Sequence, residues 1–243
     1  RVAGMAVGAG ARRGDAHMTA RIAVLASGRG SNLQAILLAI AAGHLDAEVV
    51  GVFSDKPGAP ALQRVPPEAR WSGDAKAFAD RQAFDAELAD AVAAAQPDWI
   101  ACAGYMRILG EAFVQRFRGR LLNIHPSLLP KYRGLRTHAR ALQAGDSEHG
   151  ASVHFVVPEL DAGAVMMQAM VPVLGGDTPE TLGARVLQVE HPLLVAALQL
   201  AASGRISEQH GVAWLDGQPM FTPLRLQSNA QGRFAGHAAI QRD

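Results

Sequence analysis

The run Leu121-Leu122-Asn123-Ile124-His125-Pro126-Ser127-Leu128-Leu129-Pro130 joins an apolar strand to a stiff turn and sets two hydrogen-bonding side chains at the junction. In extended backbone alternate residues share a face, so Leu122 and Ile124 can be buried while the Asn123 amide and the His125 imidazole emerge together on the other side. Proline pushes the residue before it toward extended backbone, so His125 marks the strand end. Strand ends are where α/β enzymes keep their chemistry, and an amide beside an imidazole can donate, accept or carry a proton there. The same two side chains would equally serve as a strand cap, bonding to nearby backbone.

A second candidate is Ser27-Gly28-Arg29-Gly30-Ser31-Asn32, a small turn after an apolar stretch and before a helical one. Glycine there allows close approach, and the free N–H groups of a helix start can hold an anion. No third glycine completes a dinucleotide fingerprint and no Gly-Lys-Ser/Thr ending makes a P-loop, so a phosphomonoester fits better than a dinucleotide. The alternative is a tight turn in which Ser31 or Asn32 caps the helix. Asp161 lies in the turn Pro158-Glu159-Leu160-Asp161-Ala162-Gly163, where a carboxylate ordinarily shapes the turn itself. Cys102 sits inside the apolar strand Trp99-Ile100-Ala101-Cys102-Ala103 and reads as packing, and Ser127 lacks the Gly-x-Ser-x-Gly elbow of a serine hydrolase. By default Met106, Ile108 and Leu109 read as core, Arg81 as an exposed charge at a helix start and Glu190 as part of a solvated helix face.

These residues need elements to position them, and the pattern supplies a doubly wound α/β chain. Arg21–Ala26 reads as a buried strand followed by a helix from Ser31 to about Ala42. Strands follow at Val49–Phe53, Asp98–Ala103 and Leu121–Ile124, with a helix over about Gln82–Ala95. Strands alternating with helices predict a mainly parallel sheet with helices on both faces. Strands at about Ala151–Val157 and Val165–Val173 are joined by too short a loop for a parallel crossover, so they should form an antiparallel hairpin on one edge. A long helix from about Pro179 to Ala202 packs over the sheet, and Ala213–Pro223, with Asp216-Gly217 at its centre, reads as a closing hairpin.

The 243 residues fit a single core. Residues 1–19 read as a disordered extension, 20–227 as one domain and 228–243 as a flexible tail. With 23 basic and 22 acidic residues, net charge +1, and no block of like charge, bulk electrostatics call for neither nucleic acid nor a membrane surface. One cysteine excludes a disulfide framework and suits a cytoplasmic protein, and no Cys/His spacing suits a metal. Apolar runs stop well short of the roughly 20 residues of a membrane span.

Four segments together resemble the phosphoribosylglycinamide formyltransferases of purine biosynthesis, in the order found in that family. They are Gly30-Ser31-Asn32-Leu33-Gln34, Met106-Arg107-Ile108-Leu109, Asn123-Ile124-His125-Pro126-Ser127-Leu128-Leu129-Pro130 and Glu159-Leu160-Asp161-Ala162-Gly163. The similarity runs from about Ile22 to Asp216 and implies a formyltransferase-like Rossmann-type fold. It also implies transfer of a formyl group from the co-substrate 10-formyltetrahydrofolate to the amine of glycinamide ribonucleotide, without a metal, by a monomer or homodimer acting on small molecules. Asn123, His125 and Asp161 match the catalytic trio. Asn123 and a protonated His125 would then donate to the oxygen of a tetrahedral adduct, and Asp161 would favour the protonated ring. Gly30, Ser31 and Asn32 match the phosphate site, and Glu190 the ribose site. Arg81, Met106, Arg107, Ile108, Leu109, Asn123, Val157, Pro158, Glu159, Leu160 and Asp161 match the folate site. Leu187 departs from the family pattern, in which Lys or Gln often precedes the ribose-binding Glu by three positions.

Related formyltetrahydrofolate hydrolases usually carry an extra N-terminal domain, for which the segment before Ile22 leaves no room. The formyltransferases of initiator transfer RNA need a basic C-terminal domain that the short mixed tail does not supply. A nonenzymatic folate- or nucleotide-binding module is the alternative of another class, and the intact trio argues against it.

Overall fold

The computed structural model of the chain describes residues 19–226 and 240–241. The expected extension at 1–19 and tail at 228–243 thus lie, apart from Thr19 and the pair at 240–241, outside the described residues.

The first half reads β1 (Ala20–Leu25), α1 (Ser31–Ala41), β2 (Ala47–Ser54), β3 (Arg70–Ser72), α2 (Arg81–Ala94), β4 (Trp99–Cys102), α3 (Glu111–Arg116) and β5 (Leu121–His125). There follow α4 (Thr137–Ala144), β6 (Glu148–Phe155), β7 (Val165–Pro172), α5 (Pro179–Ala202), β8 (Ile206–Gln209), β9 (Val212–Leu215), β10 (Gln218–Pro219), β11 (Leu224–Leu226) and β12 (Ile240–Gln241). The main sheet has the order β12-β11-β7-β6-β5-β4-β1-β2-β3. From β3 to β5 neighbouring strands are parallel, while β6 runs antiparallel to both β5 and β7. The expected hairpin therefore exists, and the short strands β11 and β12 extend the sheet beyond it.

Strand periodicity explains the two-sided core. In β1, Ile22 and Val24 face the layer of α1 and α5, and Ala23 and Leu25 face the layer of α2 and α3. Each such fully buried large side chain stabilises the fold by roughly 1.5–3 kcal/mol. Strand β5 repeats the pattern, with Leu122 and Ile124 on the α1/α5 side and Leu121 on the other. Asn123 and His125 continue the Leu121 face past the end of that apolar layer, where their polar groups meet other polar side chains and the loops at the strand end.

Local signals end the helices where expected. Asp80 caps α2 by accepting from the Ala83 N–H at 2.8 Å, making Arg81 its first residue. Thr178 and Thr181 form a capping box on α5 with Pro179 behind the cap. Asp216 and Gly217, at φ 50° and 76°, turn β9 into β10 in the left-handed geometry that closes tight hairpins. With β8 they form a separate three-stranded sheet. Helices α3 and α4 carry no expectation above; each is at most 8 residues long, too short for a clear period. No helix among the described residues is long and apolar enough to cross a membrane.

Candidate active site

The carboxyl ends of β1, β4 and β5 lie on one edge of the parallel part of the sheet, and the loops leaving them carry most of the candidate residues. His125 closes β5 and is 5% exposed. Its Nε2 donates to the Tyr132 carbonyl at 2.9 Å, because a carbonyl only accepts. That leaves Nδ1 facing Asp161, whose Oδ2 lies 3.4 Å away.

Asp161 comes to this point from a loop 36 positions farther along the chain, and two backbone features put it there. Its own φ is 48°, a left-handed conformation that Asp tolerates better than most residues. Two residues on, Gly163 packs against the Phe155 carbonyl so closely that any Cβ would overlap it. Asp161 Oδ2 also accepts from the Gly134 N–H at 2.8 Å. The Asp161 carboxylate thus bonds the backbone of the loop after β5 and not that of its own turn.

Burial pushes the His125 pKa below its ordinary value, outweighing the Tyr132 carbonyl and the Asp161 carboxylate, which pull upward. Asp161 favours the protonated ring, as expected, but desolvation outweighs it and the net shift is downward. For Asp161 itself burial pushes upward, but the His154 ring beside it, the Gly134 N–H and the nearby His125 hold it below the usual carboxylate value.

With Asp85, His154 is one of two residues that sequence reasoning missed. Its Nδ1 donates to the Phe155 carbonyl at 2.8 Å, so in the neutral ring Nε2 is an acceptor. Asn123 Nδ2 lies 3.1 Å from that Nε2 and donates to it, spending one amide N–H and leaving the other for a ligand. The same Nε2 is 3.6 Å from Asp161 Oδ1, so His154 stands between two of the candidate groups. Only strand register reveals it: His154 pairs with Asn123 across β5 and β6.

On the phosphate side, Gly30 precedes α1 at φ 72°, and a Cβ there would stand 2.8 Å from Ala61 Cβ and 2.9 Å from Ala61 Cα. The helix start has no side-chain cap, so the first-turn N–H groups remain open to an anion and the capping alternative for Ser31 and Asn32 is not realised. Asn32 instead turns inward, donating from Nδ2 to Glu190 Oε2 at 3.1 Å, while its Oδ1 is buried without a partner. Glu190 is thus no solvated helix residue. Burial raises its pKa, against the Asn32 hydrogen bond. Leu187 is half-buried one turn earlier.

The Met106–Leu109 segment follows β4 and is fastened from behind. Met106 N–H donates to Ser27 Oγ at 2.9 Å, and Ser27 Oγ donates to Asp55 Oδ1. Arg81 Nη2 donates to the Ile108 carbonyl at 2.6 Å. Asp85, 6% exposed, accepts from the Gly110 N–H at 2.9 Å and faces Arg81 Nε at 3.6 Å and Arg107 Nε at 3.9 Å, while Arg107 stacks over Phe84. Met106, Ile108 and Leu160 are exposed apolar side chains, contrary to the core default for Met106 and Ile108. Leu109 is buried with α2 and α3. Val157 is half-buried, and Pro158 and Glu159 are exposed in the loop before Asp161.

Two discarded residues behave as packing. Cys102 is buried and its thiol is pushed up to about 12 by burial alone. Ser127 is buried and donates to the Lys131 carbonyl at 2.6 Å. Among the described residues no group of three or more His, Cys, Asp and Glu side chains could hold a metal ion.

A family model described as Formyl transferase matches residues 20–198. The phosphoribosylglycinamide formyltransferase of Escherichia coli (strain K12) is 49% identical over 203 residues, which span 81% of this chain and 94% of the relative. Among solved structures, the phosphoribosylglycinamide formyltransferase of Coxiella burnetii superposes with a TM-score of 0.78 at 43% identity, covering 84% of this chain and 96% of that one. A formyltetrahydrofolate deformylase from Pseudomonas syringae pv. tomato also superposes, with a TM-score of 0.72 but at 26% identity, covering 82% of this chain and 66% of that one.

Proposed function

The chain belongs to the formyl transferase family, and we infer from that membership and from the site that it transfers a formyl group to the amine of glycinamide ribonucleotide, an enzymatic step of purine biosynthesis. The products are formylglycinamide ribonucleotide and the deformylated folate. We take 10-formyltetrahydrofolate as the donor co-substrate and residues 20–227 as one catalytic domain, acting as a monomer or homodimer in the cytoplasm without nucleic-acid or membrane partners. The observation that carries the catalytic assignment is the convergence of His125, Asp161, Asn123 and His154 at the end of β5.

The amine of the acceptor attacks the formyl carbon, forming a C–N bond and a tetrahedral adduct with a negative oxygen. The free amide N–H of Asn123 donates to that oxygen, and the His125 Nδ1–H joins it once the ring has taken up the amine's proton, each such preorganised donor contributing roughly 2.7–4 kcal/mol. His125 rests neutral because it is buried. As the oxyanion develops, it adds to Asp161 and the Tyr132 carbonyl in favouring the charged ring. The proton released by the amine reaches Nδ1 by way of the Asp161 carboxylate 3.4 Å away. When the bond from the formyl carbon to the folate nitrogen breaks, that proton passes to the leaving nitrogen. On this reading Gly30, Ser31 and Asn32 hold the phosphate, Glu190 the ribose, and Arg81, Met106–Leu109 and Val157–Asp161 the folate.

The test is a formyl-transfer assay with purified protein, glycinamide ribonucleotide and a 10-formylfolate donor, following the deformylated folate. Acceptor-dependent turnover supports the reading. Folate release that ignores the acceptor would instead indicate a deformylase, and binding without release a nonenzymatic module.

A further inference from the structure

One loop holds both members of the His125–Asp161 pair through its backbone. Between β5 and α4, the Tyr132 carbonyl accepts from the His125 Nε2–H and the Gly134 N–H donates to Asp161 Oδ2. The first part of the loop is fixed on the sheet by buried polar groups. Ser152 Oγ donates to the Ser127 carbonyl at 2.7 Å, and Gln168 Nε2 donates to the Leu129 carbonyl at 2.8 Å. The second part is strained, since the non-glycine residues Tyr132 and Arg136 have left-handed φ values of 57° and 58°, on either side of Gly134 at 78°. A non-glycine residue in that region costs roughly 1–2 kcal/mol, so something must hold Tyr132 there.

Its side chain is what is held. Tyr132 Oη donates to Asp146 Oδ2 at 2.8 Å, Arg140 lies over the ring at 5.2 Å, and the His149 ring meets it edge-on at 6.2 Å. Asp146 follows α4 and is held in turn by Lys131 Nζ at 3.0 Å. None of these groups touches the reacting atoms in the site described above.

We propose that Tyr132 and Asp146 are positioning residues for the formyl transfer: their hydroxyl–carboxylate contact fixes the Tyr132 backbone so that its carbonyl holds His125 in the tautomer that leaves Nδ1 open to Asp161. This rests on the transferase reading of the site. The charged and titratable groups that face His125 from other elements are Asp161, His154 and His149 of β6, and His138 and Arg140 of α4, none of which is altered by Tyr132→Phe.

The experiment compares wild type with Tyr132→Phe, Asp146→Ala and the double variant in steady-state formyl transfer, with melting temperature as the check on folding. A misplacement of this kind costs about tenfold to a hundredfold in kcat, with KM for both substrates within about twofold. The double variant falls no further than the worse single one, because both act through one contact. Asp146→Asn, which still accepts from the hydroxyl, restores most of the rate. The carbonyl raises the affinity of His125 for protons, so the His125-dependent limb of the pH–rate profile moves to lower pH in Tyr132→Phe. NMR titration of the His125 ring in the same variants must show that downward movement whether or not the wild type turns over. If the wild type fails to transfer, the function reading falls and the titration still decides this one. Unchanged kcat with an unmoved His125 titration, or a rise in KM alone, would overturn the proposal.

Discussion

His154 of β6 faces Asn123 of β5 across the antiparallel pair, with Nε2 3.1 Å from the Asn123 amide nitrogen. The contact fixes which way the amide points. Replacing the ring with one of similar bulk and no acceptor, as in His154→Phe, takes the partner from a half-buried amide N–H and frees the amide to turn. The expected result is a fall in kcat of about tenfold to a hundredfold, with the nucleotide KM little changed. Full activity in a folded His154→Phe enzyme would show that Asn123 needs no such partner.

His125→Ala removes a donor to the adduct oxygen and the proton's resting place together. We expect kcat to fall by about a hundredfold to a thousandfold or more. Nucleotide affinity, measured by calorimetry, should stay close to wild type, because Gly30, Asn32 and Glu190 belong to α1, its cap and α5. Near-normal turnover would remove His125 from the mechanism.

Gly30→Ala tests the phosphate turn. The new Cβ meets Ala61 backbone and side chain in a left-handed position, so the turn must shift. The nucleotide KM should rise by about tenfold or more while the folate KM stays near wild type, together with a lower melting temperature. An unchanged nucleotide KM would place the phosphate elsewhere.

Asp85 ties α2 to the segment before α3 through the Gly110 N–H, with Arg81 and Arg107 close by. Asp85→Ala should loosen Met106–Leu109 and raise the folate KM about tenfold, with kcat at saturation within about threefold. A kcat loss at unchanged folate KM would contradict this.

Stability should depend on pH through His149, which burial, reinforced by His138, pushes from 6.5 down to about 4, against Asp146 and the Pro126 carbonyl. The folded chain favours the neutral ring, so unfolding takes up a proton whenever the pH lies between those values. Stability is therefore fully present above about 6.5 and is lost as pH falls toward about 4. His138 has its pKa lowered as well, again chiefly by burial, and acts in the same direction. Melting temperatures from pH 7.5 downward should decline through this window, and His149→Asn should flatten the decline. Equal slopes in the two proteins would assign the acid sensitivity to other groups.

Much of the scaffold was legible from neighbours in the chain. The alternation of Leu122, Ile124 and their polar neighbours placed Asn123 and His125 on one face, and the bounds of α5 follow from its cap and its apolar period. Met106 and Ile108 were misread by the core default because apolar type alone cannot tell a buried position from a cleft wall. His154 and Asp85 were missed because nothing within a few residues of either marks it out. His154 gains its place from strand register, and Asp85 from the packing of α2 beside α3.

By itself, then, the sequence determined the doubly wound α/β plan, the shared face of Asn123 and His125, and the glycine turn before α1. Those depend on side-chain period and backbone sterics, which act over one or two turns of chain. Only the tertiary structure decided that Asp161 meets His125, that His154 stands between Asp161 and Asn123, that Asn32 reaches Glu190, and that burial lowers the His125 pKa. Such contacts depend on register, loop conformation and burial, which exist only once distant segments have packed and excluded water.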